Sequence, residues 1–177
     1  MPEALWTSVH GMNRKMNPMQ PEALWEKIIG QFALEPQSVH GPSHWRQVEH
    51  NGFYLAQTSG ARIDVVRLFA VFHDSRRLNE YNDPEHGPRG AKLAQDLRGL
   101  LYEIDDQGFE LLHEACWIHT EAPRSDDPTL GTCLDADRLD LPRVGISPQA
   151  EYMSTEAGKN LAKSGDFGVL RNFEPRQ

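Results

Sequence analysis

The stretch Asp64-Val-Val-Arg-Leu-Phe-Ala-Val-Phe-His-Asp74 is nearly all apolar until it ends in an imidazole beside a carboxylate. An apolar run of this length suits either a buried strand or a buried helix. The segments on both sides carry helical spacing, so 64–72 reads as a central buried helix with His73-Asp74 at its C-terminal end. Upstream, Leu24, Trp25, Ile28, Ile29 and Phe32 recur every three or four residues behind Pro21, a residue tolerated in a first helical turn. Pro36 to Pro42 reads as a loop. Ser43 serves as an N-cap for a helix to about 58, closed by Ser59-Gly60.

Downstream, residues 75–85 are polar and read as a loop whose length suggests a role in function. Helices follow at 86–101, with Pro88 in the first turn, at 106–119, and at 128–140, the last closed by Pro142. Ser154 is placed to cap a final helix through Leu161. No segment alternates with period two, so the expected fold is an all-α helical bundle. Residues 1–19 read as a weakly ordered N-terminal extension, 20–163 as the domain, and 164–177 as a weakly ordered tail. The extension carries Pro-Glu-Ala-Leu-Trp at 2–6, repeated at 21–25.

Composition narrows the functional classes. A chain of 177 residues suits one core. The net charge of -8 argues against a protein that coats nucleic acid, though a dication and a few arginines can still make one pocket positive for a small phosphorylated substrate. No apolar run approaches the ~20 residues of a membrane helix, and no signal-peptide pattern stands at the N-terminus. The two cysteines, Cys116 and Cys133, suggest reduced core residues rather than a disulfide scaffold. Together these features give a cytoplasmic expectation.

A polar residue on an apolar helical stripe faces the core and needs a partner there. His119 continues the stripe Phe109, Leu112, Cys116. His86 shares one with Gly90, Leu93, Leu97 and Leu101. Asp137 lies with Leu130, Leu134 and Leu141, while Asp135 is turned roughly 200° from that line and stands as the alternative. His73 and Asp74, ~100° apart on a helix, can reach one ion at a helix end. Imidazole and carboxylate donors together suit Mn, Fe, Co, Ni or Zn better than Ca.

His44 in Gly-Pro-Ser-His-Trp-Arg-Gln-Val, the pair His73-Asp74 after an apolar helix, and Asp137 in Leu-Asp-Ala-Asp-Arg-Leu-Asp-Leu follow one another in an order that resembles the HD superfamily of metal-dependent phosphohydrolases, over about residues 40–145. The resemblance implies a helical HD domain with one divalent ion on His44, His73, Asp74 and Asp137. It also implies either a second ion on His86 and His119, bridged by Asp74, or a role for those two histidines on the substrate. His119 is followed by Thr120, where some dinuclear members have a second histidine. Arg77, or Arg76 in its place, falls where many members hold phosphate. Arg89, Arg138 and Arg143 are further guanidinium candidates for phosphate. Glu80 or His86 is placed as a general acid or base. The expected activity is hydrolysis of a phosphate ester or anhydride of a nucleotide-like small molecule. The alternatives are a di-iron oxygenase on the same scaffold, and a metal- or nucleotide-binding module without turnover.

Overall fold

The computed structural model describes residues 21–175; the first copy of the repeated pentapeptide and the extension lie outside them. Eight helices follow in order: α1 (Pro21–Ile29), α2 (Pro42–Ser59), α3 (Ile63–Phe72), α4 (His86–Leu97), α5 (Asp106–Ile118), α6 (Pro128–Arg138), α7 (Glu156–Ser164) and α8 (Gly168–Arg171). Two short 3-10 turns, Leu141–Val144 and Ala150–Tyr152, separate α6 from α7. Among the described residues there is no strand, only an isolated bridge between Arg98 and Tyr102. The protein is an all-α bundle.

The run that opened the sequence reading is the axis of this bundle. From Val65 to Phe72 only Arg67 escapes full burial, because α3 packs against α2, α4, α5 and α6 at once. Arg67 keeps its charge near solvent beside Glu49 and over the Phe53 ring. A helix apolar on nearly every side is stable only when surrounded, which is the position of α3. Its last turn closes with His73 N–H donating to the Phe69 carbonyl. The chain then tightens through Ser75 N–H to Phe72 O and Arg77 N–H to Asp74 O. These turns hold His73, Asp74 and Arg77 together at one end of the bundle.

Several boundaries differ from the sequence reading. The N-cap of α2 is Gly41, with Pro42 in the first turn, not Ser43. The helix expected over 86–101 stops at Leu97, where Arg98 turns extended and Gly99 adopts φ +77°, a conformation glycine enters without the Cβ clash. The cap of α7 is Thr155 rather than Ser154, its side chain accepting from Gly158 N–H. The segment expected to be a loose tail contains α8 and buries Leu170. His50 Nε2–H donates to the Leu170 carbonyl across 2.7 Å, and Phe173 packs edge-on against His50 and Tyr54 of α2. Phe167, Leu170 and Phe173 carry this docking, in a run too short for a periodicity signal.

One close approach sets the geometry of the site. A Cβ on Gly90 would stand 2.4 Å from the Phe72 carbonyl oxygen and 3.2 Å from that of His73. Glycine there lets α4 lie directly against the end of α3. Gly90→Ala pushes α4 off a backbone carbonyl that cannot rotate away. The expected cost is about 1–3 kcal/mol, read as a fall of about 2–10 °C in the melting temperature of metal-stripped protein. An unchanged melting temperature would show that α4 is free to slide.

Candidate metal centre

Six of the residues singled out in the sequence converge at this end of the bundle. His73 is the C-cap of α3 and His119 that of α5. Asp137 lies in the last turn of α6, His44 in the first turn of α2, and His86 opens α4. The C-termini of α3, α5 and α6 therefore point at one spot, and their partial negative charge favours a cation there.

The side chains form two groups that share Asp74. In the first, His44 Nε2 lies 3.1 Å from His73 Nε2, 3.2 Å from Asp137 Oδ1 and 3.7 Å from Asp74 Oδ2. His73 Nε2 lies 4.0 Å from Asp74 Oδ2 and 3.9 Å from Asp137 Oδ1. In the second, His86 Nε2 lies 2.9 Å from His119 Nε2 and 3.1 Å from Asp74 Oδ1, and His119 Nε2 is 3.7 Å from the same oxygen. Asp74 thus turns one oxygen to each group.

The opposite ring nitrogens decide what these groups can hold. Nδ1 of His73 faces the carbonyls of Phe69 and Ala70 at 3.1 and 3.0 Å, that of His119 the Cys116 carbonyl at 2.8 Å, and that of His86 the Asp83 carbonyl. Nδ1 of His44 faces Asp140 Oδ2 at 2.7 Å. Carbonyls and carboxylates accept, so all four Nδ1 atoms carry hydrogen and donate. In a neutral imidazole, Nε2 is then a bare lone pair. Two such lone pairs at 2.9 Å, and two more at 3.1 Å, repel unless a cation stands at each pair. Ligands about 2.1 Å from one ion lie roughly 3.0–3.4 Å from each other at octahedral to tetrahedral angles. The short edges of both groups fit that range, and either group can hold a divalent ion. The carbonyl and carboxylate partners on Nδ1 are the supports that metal-binding histidines ordinarily have.

Protonation without metal follows the same logic. Burial works to lower the pKa of His44, but the hydrogen bonds to Asp137 and Asp140 outweigh it and push it up to about 9. His73, wholly buried, is lowered to about 3 by burial. Burial likewise opposes charge on His119, yet the hydrogen bond to Asp74 raises it. Burial favours neutral carboxyls, but the surrounding imidazoles hold Asp74 and Asp137 below the usual carboxylate range. Without metal, the first group therefore holds its proton on His44 rather than His73, and in the second the contact with Asp74 favours the protonated form of His119.

The other expected site residues separate. Arg77 stands at the centre: it is 8% exposed, its Nε lies 3.9 Å from Asp74 Oδ1, and Nη2–H donates to the Tyr81 carbonyl. Arg76 turns away to Gln31, and Arg89 is committed to Asp83, with both contacts at 2.6 Å. Arg138 spends its hydrogens on the carbonyls of Ala122, Pro123 and Tyr152, tying the segment after α5 to the second 3-10 turn. Arg143 donates to the Val39 and Asp140 carbonyls. These four act as structural clamps. Glu80 is exposed on the 75–85 loop and makes no polar contact with the site among the described residues.

Asp135 is not a ligand. It is fully buried and accepts from Ser154 N–H, Thr155 N–H and the Thr155 hydroxyl, fixing the start of α7. Asp137, the ligand candidate, keeps 21% of its side chain exposed. The stripe reading favoured Asp137 over Asp135, and Asp137 is the one beside His44 and His73; Asp135 is enclosed as well because α6 is buried on all sides from Thr129 to Ala136. Three contributors went unassigned in the sequence: Asp140 behind His44, Asp83 behind His86, and His40, whose Nδ1 lies 3.0 Å from Asp74 Oδ2. The spacing of His40 to His44 was a visible signal; nothing marked Asp140 or Asp83.

No family model, curated protein or solved structure matches this chain.

Metal-stripped protein titrated with Mn, Co or Zn is expected to take up two ions per chain and to release protons as it does so. A proton competes with metal wherever the pH lies below the pKa of the imidazolium it occupies, so affinity rises as pH increases from 7 towards 9. The slope is about tenfold per pH unit for each proton displaced. Calorimetry in buffers of different ionisation enthalpy measures the release directly. Uptake with no protons released below pH 8 would contradict the assignment of His44.

Proposed function

We propose that the protein is a metal-dependent phosphohydrolase of the HD type, acting on a phosphate ester or anhydride of a nucleotide-like small molecule. The observation that carries this reading is Arg77 Nε. Among the described residues it is the single buried side-chain nitrogen or oxygen without a hydrogen-bond partner. An orphaned buried donor costs about 1–3 kcal/mol, more when charged, and this one lies beside the carboxylate shared by the two histidine groups. A phosphoryl oxygen has the charge and the acceptor capacity to satisfy it.

His44, His73, Asp74 and Asp137 would hold one ion, and His86, His119 and Asp74 the other. Divalent ions there would supply a water deprotonated near neutral pH and positive charge to offset that of the phosphoryl oxygens. The chain's own residues do the rest. Arg77 orients the phosphate from the side of the second group, held by the Tyr81 carbonyl. The Nδ1 supports fix each imidazole's tautomer and direction, so the site is organised before substrate arrives.

The test is a panel of nucleoside mono-, di- and triphosphates and phosphodiesters, assayed for hydrolysis (release of phosphate or pyrophosphate, or a new monoester from a diester) with Mn, Co, Ni, Fe or Zn restored. Arg77→Ala is expected to lower kcat/KM on the best substrate about 10- to 100-fold with two ions still bound. Arg77→Lys should recover little, since a point charge lacks the fork. Metal-loaded protein that hydrolyses none of these compounds would overturn the reading. If the iron form also consumes oxygen, the di-iron oxygenase replaces it.

A further inference from the structure

Outside both ligand groups, one more imidazole touches the shared carboxylate. His40 Nδ1 stands 3.0 Å from Asp74 Oδ2, and an ionised carboxylate only accepts, so His40 donates. It falls outside both groups of ligand atoms, and its ring centroid is 6.5 Å from that of His44.

Its backbone is held from several sides. The His40 N–H donates to Ser38 Oγ at 3.0 Å, and its carbonyl accepts the Trp45 indole N–H at 2.7 Å. The neighbouring Val39 carbonyl accepts Arg143 Nε–H at 2.7 Å. Trp45 is itself wholly buried, with Phe32 edge-on at 5.0 Å and Trp25 at 6.2 Å. A loop anchored on an aromatic core and on the turn after α6 thus delivers one N–H to one carboxylate oxygen. The His40 side chain is 16% exposed, against 1% for His44 and His73.

We propose that His40 is a positioning residue that sets the plane of Asp74 for both metal ions. The inference rests on the two-ion reading above. A carboxylate shared between two ions has one soft torsion about its Cβ–Cγ bond, so fixing Oδ2 fixes the direction of Oδ1. Each oxygen has two acceptor sites. Oδ2 can give one to the first ion and keep the other for His40. Hydrogen bonds of this kind to ligating carboxylates typically carry 10–100-fold in metal affinity.

The experiment is a Co titration of the metal-stripped full chain, followed by ligand-field absorption, with melting of the metal-free variants as a folding control. Wild type should bind two ions. His40→Ala should still bind two, both weakened about 10- to 100-fold, with the absorption bands unmoved because no ligand is lost. His40→Asn places an amide N–H near the Nδ1 position and should restore most of the affinity. Wild-type affinity in His40→Ala overturns the proposal alone. So does weakening of a single ion with shifted bands, which makes His40 a ligand, and so does an Asn variant no better than Ala, which places the effect in the loop. Wild type that binds no ion overturns the metal reading and this proposal with it.

Discussion

Asp74 is a carboxylate buried at the meeting point of three helix C-termini, within 4.0 Å of His40, His44, His73, His86 and His119. Removing an ionised carboxylate from water costs several kcal/mol even after the protein relaxes, and the helix ends add negative potential of their own. Positive charge must therefore stand on both sides of it. In the metal-free protein His44, pushed up to about 9, supplies a proton on one side, and on the other Asp74 raises the pKa of His119. The same two places suit two dications. The surrounding fold can be understood as what is required to keep this carboxylate ionised and dry.

The requirement reaches well into the bundle. Phe69 stacks on the His73 ring at 4.8 Å and meets His119 edge-on at 6.0 Å, so one side chain of α3 supports an imidazole from each group. Gly87 does for α5 what Gly90 does for α3. A Cβ there would stand 2.4 Å from the Cys116 carbonyl, the oxygen that receives His119 Nδ1–H. Two glycines in the first turns of α4 thereby bring His86 to His119 with Nε2 atoms 2.9 Å apart. The chain between the groups is pinned too: Asp83 accepts Leu78 N–H and the Arg89 guanidinium, and its carbonyl orients His86. Arg89 works here through loop geometry, not through substrate charge.

The bundle was legible because its signals are periodic and apolar. The 64–72 run, the stripes of α1, α4 and α5, and the turn residues around them sufficed for an all-α architecture. The inward histidines His86 and His119 were legible for the same reason, since an imidazole on an apolar stripe has only the core to face. Asp135 and Asp137 mark where that logic reaches only halfway: the stripe favoured Asp137, which does reach the site, but it left Asp135 facing away, and Asp135 is buried too. On a helix with a wet side, the more buried aspartate would be the stronger candidate; on α6, buried all round, the fully enclosed Asp135 is a cap for α7 and the partly exposed Asp137 reaches the site. The arginines failed for another reason. A guanidinium donates equally well to a phosphate or to a carbonyl two helices away, and sequence does not carry the three-dimensional proximity that commits Arg76, Arg89, Arg138 and Arg143. Arg76 and Arg77 both follow Asp74 closely in sequence, and only the turn geometry after α3 sends Arg77 to the site and Arg76 to Gln31.

The charge balance of the site bears on how an acidic protein would accept the anionic substrate proposed for it. The chain carries a net charge of -8, which would repel phosphate if spread evenly. It is not: Asp74, Asp137 and Asp140 are gathered at the histidines. Two dications against those three carboxylates, with Arg77 added, leave the pocket net positive. In a confined, poorly hydrated pocket such a field is weakly screened. Without the dications, protons on the histidines set less positive charge against the same carboxylates. A phosphorylated ligand would therefore distinguish the metal-loaded from the metal-free state by charge alone, and metal occupancy, rather than any rearrangement of helices, would set its affinity.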